Sequence, residues 1–348
     1  MRLELPPRLV DWTLLAAVGL ALVTGLASLT AGSAREWWLF VLHGAGALTL
    51  VALLFWKLRR VRHRLRGRSP TVALSALLAL VTMAALATGV AWVLGVGADR
   101  RVAGWTLLNL HIGLGLLVVP LLAYHLARRY HAPPRADWEG RRTVLQYAAL
   151  AVGGALVWRA QQALVAVLGA DDRRFTGSRP EGRSGNRFPV TSWVLDDPAP
   201  VDPAEWRLHV VGRVARPLEL GYDDITGSPH TTESALLDCT SGWYVERDWR
   251  GLGVGDLLDA AGVGESARWV TFHSVTGYRF GFPVEVARRL VLATHVDGER
   301  LTHGHGFPLR VVAPDRRGFQ WVKWVTAVEV RETRDWGQWL AIFVSGID

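Results

Sequence analysis

One cysteine, Cys239, stands in 348 residues, which excludes any intramolecular disulfide. Any domain this chain builds must therefore be held by its core. The thiol itself is either a small buried hydrophobe, the usual fate of a free cysteine, or a ligand. Acidic residues are missing from residues 57–68, which carry Lys57, Arg59, Arg60, Arg62, Arg64, Arg66 and Arg68. A net charge of +8 would suit a nucleic-acid binder. The surplus sits beside apolar runs, however, where the orientation of a membrane protein accounts for it. Nucleic acid is excluded as a partner on that ground.

The two halves differ in composition. Residues 11–168 are dominated by Ala, Leu, Val and Gly, whereas charges, turns and short strands fill the rest. A helix needs about 20 apolar residues to cross a hydrocarbon core of about 30 Å. Four runs qualify, 12–29, 37–58, 72–96 and 105–127, and a weaker fifth, 144–168, carries Arg159. Trp12, Trp37, Trp38, Trp56, Trp92 and Trp105 lie near span ends, at the depth amphipathic rings prefer. The second basic loop holds Arg128, Arg129, Arg135, Arg141 and Arg142, while the loops at Arg35-Glu36 and Asp99-Arg100-Arg101 are short and nearly balanced. The positive-inside rule then puts the N-terminus in the cytoplasm, and the fifth span delivers the C-terminal domain outside a cell membrane crossed several times. That span opens Arg141-Arg142-Thr143-Val144-Leu145-Gln146, which resembles an internal twin-arginine export signal.

Residues 37–60 align without gaps on 105–128. Trp37 matches Trp105, His43 matches His111, Lys57 matches His125 and Arg60 matches Arg128. Both preceding spans share a Thr-Gly pair, Thr24-Gly25 and Thr88-Gly89. Two similar hairpins predict a four-helix bundle, with the fifth span added. His43 and His111 fall at one depth, with small residues after each: Gly44, Ala45 and Gly46, and Gly113 and Gly115. Facing histidines in an apolar bundle suit axial haem ligation. The alternative is a pair hydrogen-bonded across helices. His125 follows His111 by about 21 Å of helix, on nearly the same face. This resembles the two-haem b-type cytochromes, but the partner position is Lys57, which at a helix end commonly snorkels. His63 would have to fold back from its loop. A second haem at His125 stays open.

From Trp206 the chain turns strand-like, with a strand from Arg207 ended by Pro217 and Gly221. Further strands are expected at 234–238, 269–273, 278–283, 309–313 and 325–330, with helices at 254–261 and 284–290, a mixed α+β class. Leu236-Leu237-Asp238-Cys239 ends a strand, Trp243 follows, and Trp249-Arg250-Gly251-Leu252-Gly253-Val254 leads into a helix. Later come His305-Gly306-Phe307-Pro308-Leu309-Arg310-Val311-Val312-Ala313-Pro314, then Gly318, then Val322-Lys323-Trp324-Val325. These two motifs in this order resemble the sulfite oxidase family, which includes periplasmic methionine sulfoxide reductase catalytic subunits. The likeness spans residues 206–330.

The resemblance implies a molybdenum–molybdopterin cofactor. Cys239 would ligate the metal, His305 would bond the pterin, and Arg310 and Lys323 would hold its phosphate, with Arg316 and Arg317 as lesser candidates. The bland alternative for Arg310 and Lys323 is a solvated strand face. His303 is expected at the surface. Trp243 and Tyr244 are either substrate-facing or core aromatics. Arg247 is the first positive charge after Cys239. A rim so aromatic and so little basic suits a neutral S- or N-oxide better than sulfite dianion.

The expected organisation is a four-helix transmembrane domain at 1–140, a fifth span at 141–170 and a molybdopterin-binding oxidoreductase domain at 171–348. The expected activity is oxygen-atom transfer to or from a small substrate, with electrons exchanged through bundle haem b and the membrane quinone pool. Sulfite oxidation is the first alternative. A non-catalytic, membrane-anchored binding protein is the second.

Overall fold

In the computed structural model the apolar first half folds as five helices: α1 (Pro7–Ser28), α2 (Trp37–Val61), α3 (Pro70–Val93), α4 (Leu107–Arg129) and α5 (Arg141–Val167). The structure describes residues 6–63, 69–97, 101–102, 105–132, 140–168, 172–192 and 196–346. Arg64, Arg66, Arg68, Asp99, Arg100, Arg135 and Asp171 lie outside the described residues. All five helices are long and apolar enough to cross a membrane.

The ends of these helices follow from local chemistry. Pro7 and Pro70 occupy first turns, where their missing N–H costs nothing. The Ser69 side chain caps α3, and Thr106 with Asn109 forms a reciprocal capping box on α4. Side-chain bonds show that α1 and α2 run antiparallel, as do α3 and α4. Asp11, early in α1, pairs with Lys57 (2.9 Å) and with Arg60, late in α2. Ser75, early in α3, meets His125, late in α4 (3.2 Å). The internal repeat is thus two like hairpins, and α5 packs mainly on α2.

The chain divides into two compact units, Met1–Arg179 and Pro180–Asp348. The second is mixed α/β. Its elements are β1 (Arg207–Gly212), β2 (Leu218–Gly221), α6 (Tyr222–Gly227), β3 (Thr231–Cys239), β4 (Trp243–Gly253), α7 (Val254–Ala261), β5 (Trp269–Ser274), β6 (Arg279–Pro283), α8 (Val284–Ala287), β7 (Val291–Val296), β8 (Arg310–Val312), β9 (Val325–Arg331) and α9 (Gln338–Val344). One sheet runs β2-β1-β9-β5-β6, in which β1 and β9 are parallel and the other neighbours antiparallel. In the other, β4 pairs with both β3 and β7, and β7 pairs with β8. Its core includes Phe272, Leu292, Val311 and Val328, all fully buried.

Most expected elements form, several with the expected ends. Three of these strands were not foreseen. β2 forms at Leu218–Gly221, where the chain was expected to break. β4 runs for 11 residues through a stretch expected to lead directly into a helix. β7 begins right after the expected helix 284–290, of which α8 is only the first turn.

Candidate functional site

Cys239 is the last residue of β3 and sits directly across from Trp243, the first residue of β4. It is buried, and its Sγ accepts from the Ser241 N–H at 3.5 Å. The segment at Arg316–Gly318 lies along this strand end. A Cβ at Gly318 would stand 3.2 Å from the Cys239 Cα, so glycine lets the two backbones close. Beside it Arg317 donates to Asp238 at 2.8 Å and to the Cys239 carbonyl at 3.2 Å. Both partners of that ion pair are almost wholly buried. Arg317 therefore braces the cysteine backbone and is not turned out towards a phosphate. Breaking a buried pair from one side commonly costs about 3–5 kcal/mol. Arg317→Gln should accordingly lower stability by that order, which thermal unfolding of the detergent-solubilised chain would register. An unchanged midpoint would show that the pair braces nothing.

Around the His305–Gly306 turn the structure gathers the three expected polar residues, and two of them, Arg310 and Lys323, feel the charge of Cys239. Arg310, on β8, is buried beneath two indoles, with its guanidinium 5.5 Å from the Trp249 ring and 5.7 Å from that of Trp321. It donates to the His305 carbonyl at 3.0 Å, while its buried Nε has no partner. Lys323 donates to the carbonyls of Thr191 (2.9 Å) and Gly304 (2.7 Å) and to Ser192 Oγ (3.0 Å). Burial lowers Arg310 to about 10, with the Cys239 sulfur opposing. Burial, and then Arg310, lower Lys323 to about 7, again with Cys239 opposing. Two cations crowded together favour an anion. The solvated-face alternative does not hold for Arg310, which is buried, while Lys323 keeps part of its side chain at the surface.

His305 is buried and neutral, lowered to about 4 chiefly by burial. The Phe188 carbonyl can only accept, so Nε2 carries the proton and donates to it at 3.1 Å. Nδ1 then accepts from the Thr302 hydroxyl at 2.6 Å. Both nitrogens are thus occupied, and a bond to a pterin would require one to change partner. Trp324 takes a left-handed backbone at φ 51°, which is costly for a bulky residue. Its indole donates to the His303 carbonyl at 2.8 Å, tying the Lys323 segment to the His303–His305 turn. His303 is half-buried and bonds the Pro198 carbonyl at 2.9 Å, so the expected surface placement is corrected.

Trp243 is buried in the core and donates to Thr191 Oγ1 at 3.2 Å. Tyr244, next along the strand, faces the opposite side and is half-buried. The arm at residues 180–192 supplies Phe188, Thr191 and Ser192. No local pattern marks those three as site residues, because each acts through a partner 52 to 132 residues away.

A second constellation lies in the helical unit. The His43 and His111 rings meet edge to face with centroids 5.9 Å apart. Each Nδ1 bonds a carbonyl of the preceding helix, Ala21 at 2.9 Å and Ala85 at 2.8 Å. Carbonyls only accept, so both Nδ1 atoms carry the proton and both Nε2 lone pairs stay available. The shared Thr-Gly pair gains a reason: a Cβ at Gly25 would stand 3.1 Å from the His43 ring, and one at Gly89 2.9 Å from that of His111. Of the small residues after the histidines, Gly44 lies against the Trp158 indole, while Gly113 and Gly115 border open space. Lys57 is held by Asp11, His125 by Ser75, and His63 stays exposed in its loop.

A buried thiol under a cationic, indole-lined cradle is the equipment of a domain that carries an anionic redox cofactor. Residues 195–339 match the oxidoreductase molybdopterin-binding domain family. The uncharacterized oxidoreductase YuiH of Bacillus subtilis is 32% identical over 155 residues, covering 44% of this chain and 78% of that protein. The chain belongs to this molybdopterin-binding oxidoreductase family. Human mitochondrial sulfite oxidase is 29% identical over 171 residues, covering 40% of this chain but only 31% of its own length. A chain from Azospira oryzae, provisionally named protein-methionine-sulfoxide reductase subunit YedZ1, is 26% identical over 163 residues, covering 46% of this chain and 62% of that one.

Proposed function

We propose that the chain is a membrane-anchored molybdenum enzyme that moves an oxygen atom to or from a small substrate and exchanges the electrons through haem in its helical unit with the quinone pool. One observation carries the molybdenum half: the pairing of buried Arg310 with half-buried Lys323 near Cys239, with an Arg310 N–H still lacking a partner. The donor set fits the group. Cys239 would supply sulfur to the metal, and the two cations would hold the anionic part of the pterin. When bound, the group supplies two-electron, oxygen-atom-transfer chemistry. The chain's residues fix its place: Arg317 holds the cysteine backbone, His305 holds the Phe188 arm, and the core aromatics keep water out.

Reduction of a neutral S- or N-oxide is the favoured direction. Arg247, the nearest cation along the chain from Cys239, is spent on Asp297 (3.3 Å) and on the Arg183 carbonyl, so it does not stand ready for a substrate anion. Sulfite oxidation is the second reading, favoured by the likeness to human sulfite oxidase. Membranes containing the chain, pre-reduced with a quinol analogue, should be reoxidised by methyl sulfoxides or amine N-oxides. Reduction by sulfite, with no response to any oxide, would reverse the assignment.

The haem half rests on the imidazole pair. Two Nδ1–H groups fixed on carbonyls leave both Nε2 atoms with lone pairs, which is what axial ligands of haem iron need. With the two basic loops cytoplasmic, this pair and the molybdenum domain both belong to the outer side. The export route follows from the cofactor. A domain loaded in the cytoplasm must cross the membrane folded, and Arg141 and Arg142 open α5, exposed, as a twin-arginine signal would. Replacing both with lysine keeps the charge and removes the signal. The outer domain of that variant should stay inside, protected from protease added to intact spheroplasts. Digestion at wild-type rates, with cofactor bound, would leave topology resting on charge alone.

A further inference from the structure

The segment at residues 172–179, after α5, carries Arg173, Arg174 and Arg179, and it is tied to both hairpins of the helical unit. Phe175 packs edge to face on Phe40 at 5.4 Å, and Arg174 lies over the Phe175 ring at 5.3 Å. Arg174 also donates to the Gly32 carbonyl at 3.4 Å, in the loop before α2. The Gly177 carbonyl accepts from the Trp92 indole of α3 at 2.9 Å, and Arg179 reaches the Trp92 carbonyl at 3.5 Å. Phe40 stands one turn before His43. Trp92 stands one turn beyond Gly89, the glycine beneath His111. The segment therefore lies over the outer ends of both hairpins, about 4.5 Å of helix above the imidazoles.

Its charge is not balanced. Arg173 donates to Gln162 at 2.9 Å, and Arg179 pairs with Asp172 at 2.7 Å. Asp172 is the one carboxylate on the described segment. The Nε–H groups of Arg173 and Arg179 are both buried without a partner. Burial, and then the neighbouring Arg179, also lower the Arg173 pKa. Buried donors without acceptors are costly, and here two of them share one small region.

We propose that Arg173 and Arg179 form the seat for the propionate carboxylates of the porphyrin whose iron lies between His43 and His111. This rests on the haem reading and deepens it. A porphyrin bound between the two imidazoles would turn one edge towards the segment, and the propionates hang from a single edge. A free phosphate or a lipid headgroup offers similar anionic oxygens, but neither is tethered at that depth.

Redox titration of the α band tests this in the full detergent-solubilised chain. Positive charge at the porphyrin edge favours the reduced state. Arg173→Gln and Arg179→Gln should each keep the haem and lower its midpoint, by on the order of a tenfold change in the oxidised-to-reduced ratio, about 59 mV for one electron. Arg173→Lys and Arg179→Lys should largely restore it. A second measurement needs no variant: apoprotein reconstituted with iron protoporphyrin should bind at least roughly tenfold tighter than with its dimethyl ester, which lacks the carboxylates. Unmoved midpoints together with equal binding of the two porphyrins would overturn the seat and leave the imidazole pair standing. A wild-type chain that never takes up haem would overturn both.

Discussion

Cys239→Ala should abolish substrate-dependent electron transfer while leaving the fold and membrane insertion intact. The expectation follows from position as much as from chemistry. The thiol ends β3, its backbone is clamped by Arg317 and packed on Gly318, and its sulfur lies near buried Arg310 and half-buried Lys323. Removal of one buried sulfur costs the fold little, on the order of 1 kcal/mol, so loss of turnover would not reflect unfolding. Membranes carrying the variant should show the same amount of chain, the same protease pattern, and no oxide-dependent reoxidation. Wild-type rates in that variant would remove the central catalytic assignment.

His43→Ala and His111→Ala should each eliminate the haem band in reduced-minus-oxidised spectra. One imidazole rarely retains a low-spin b haem, and the two sites are equivalent in the repeat, so the two variants should behave alike. Each position is built for its ring: a carbonyl fixes Nδ1 and a glycine clears the face. His125→Ala supplies the contrast. Its ring bonds Ser75, and the matching Lys57 is engaged by Asp11, so a smaller effect or none is expected. A spectrum that survives in both the His43 and the His111 variants would show that the pairing has another purpose.

The helical half was legible because its signal is coarse. Long apolar runs and a gapless repeat fix helices and equivalent depths without any tertiary knowledge. In the second unit, α7 falls at the residues its apolar spacing indicates, and β5 covers the stretch expected of it. β4 was hidden because Arg247, Asp248, Arg250, Gly251 and Gly253 look like loop. It is a strand because β3 and β7 bond it on both edges, and Gly251 is there because a Cβ would run into the Leu292 and Ala293 backbone. β7 was hidden for the opposite reason. Leu292 and Ala293 are buried on both faces, so no period of two is visible.

The site divides in the same way. Cys239, His305, Arg310 and Lys323 lie in two dense motifs and could be named in advance. Arg317 could be listed but not understood, since its partner Asp238 lies 79 residues earlier. The arm residues Phe188 and Thr191 carry no signature at all. They matter through what they close over, which only the folded chain reveals.

The carbonyls that hold His43 and His111 have one more consequence. Each ring is oriented, and its Nδ1 proton fixed, by a carbonyl of its own hairpin, so in the proposed haem site little of the ordering entropy of the two side chains would be left for the uptake of iron. Uptake should then behave as docking into a rigid cleft, with a rate governed by access and little affected by viscosity-coupled rearrangement.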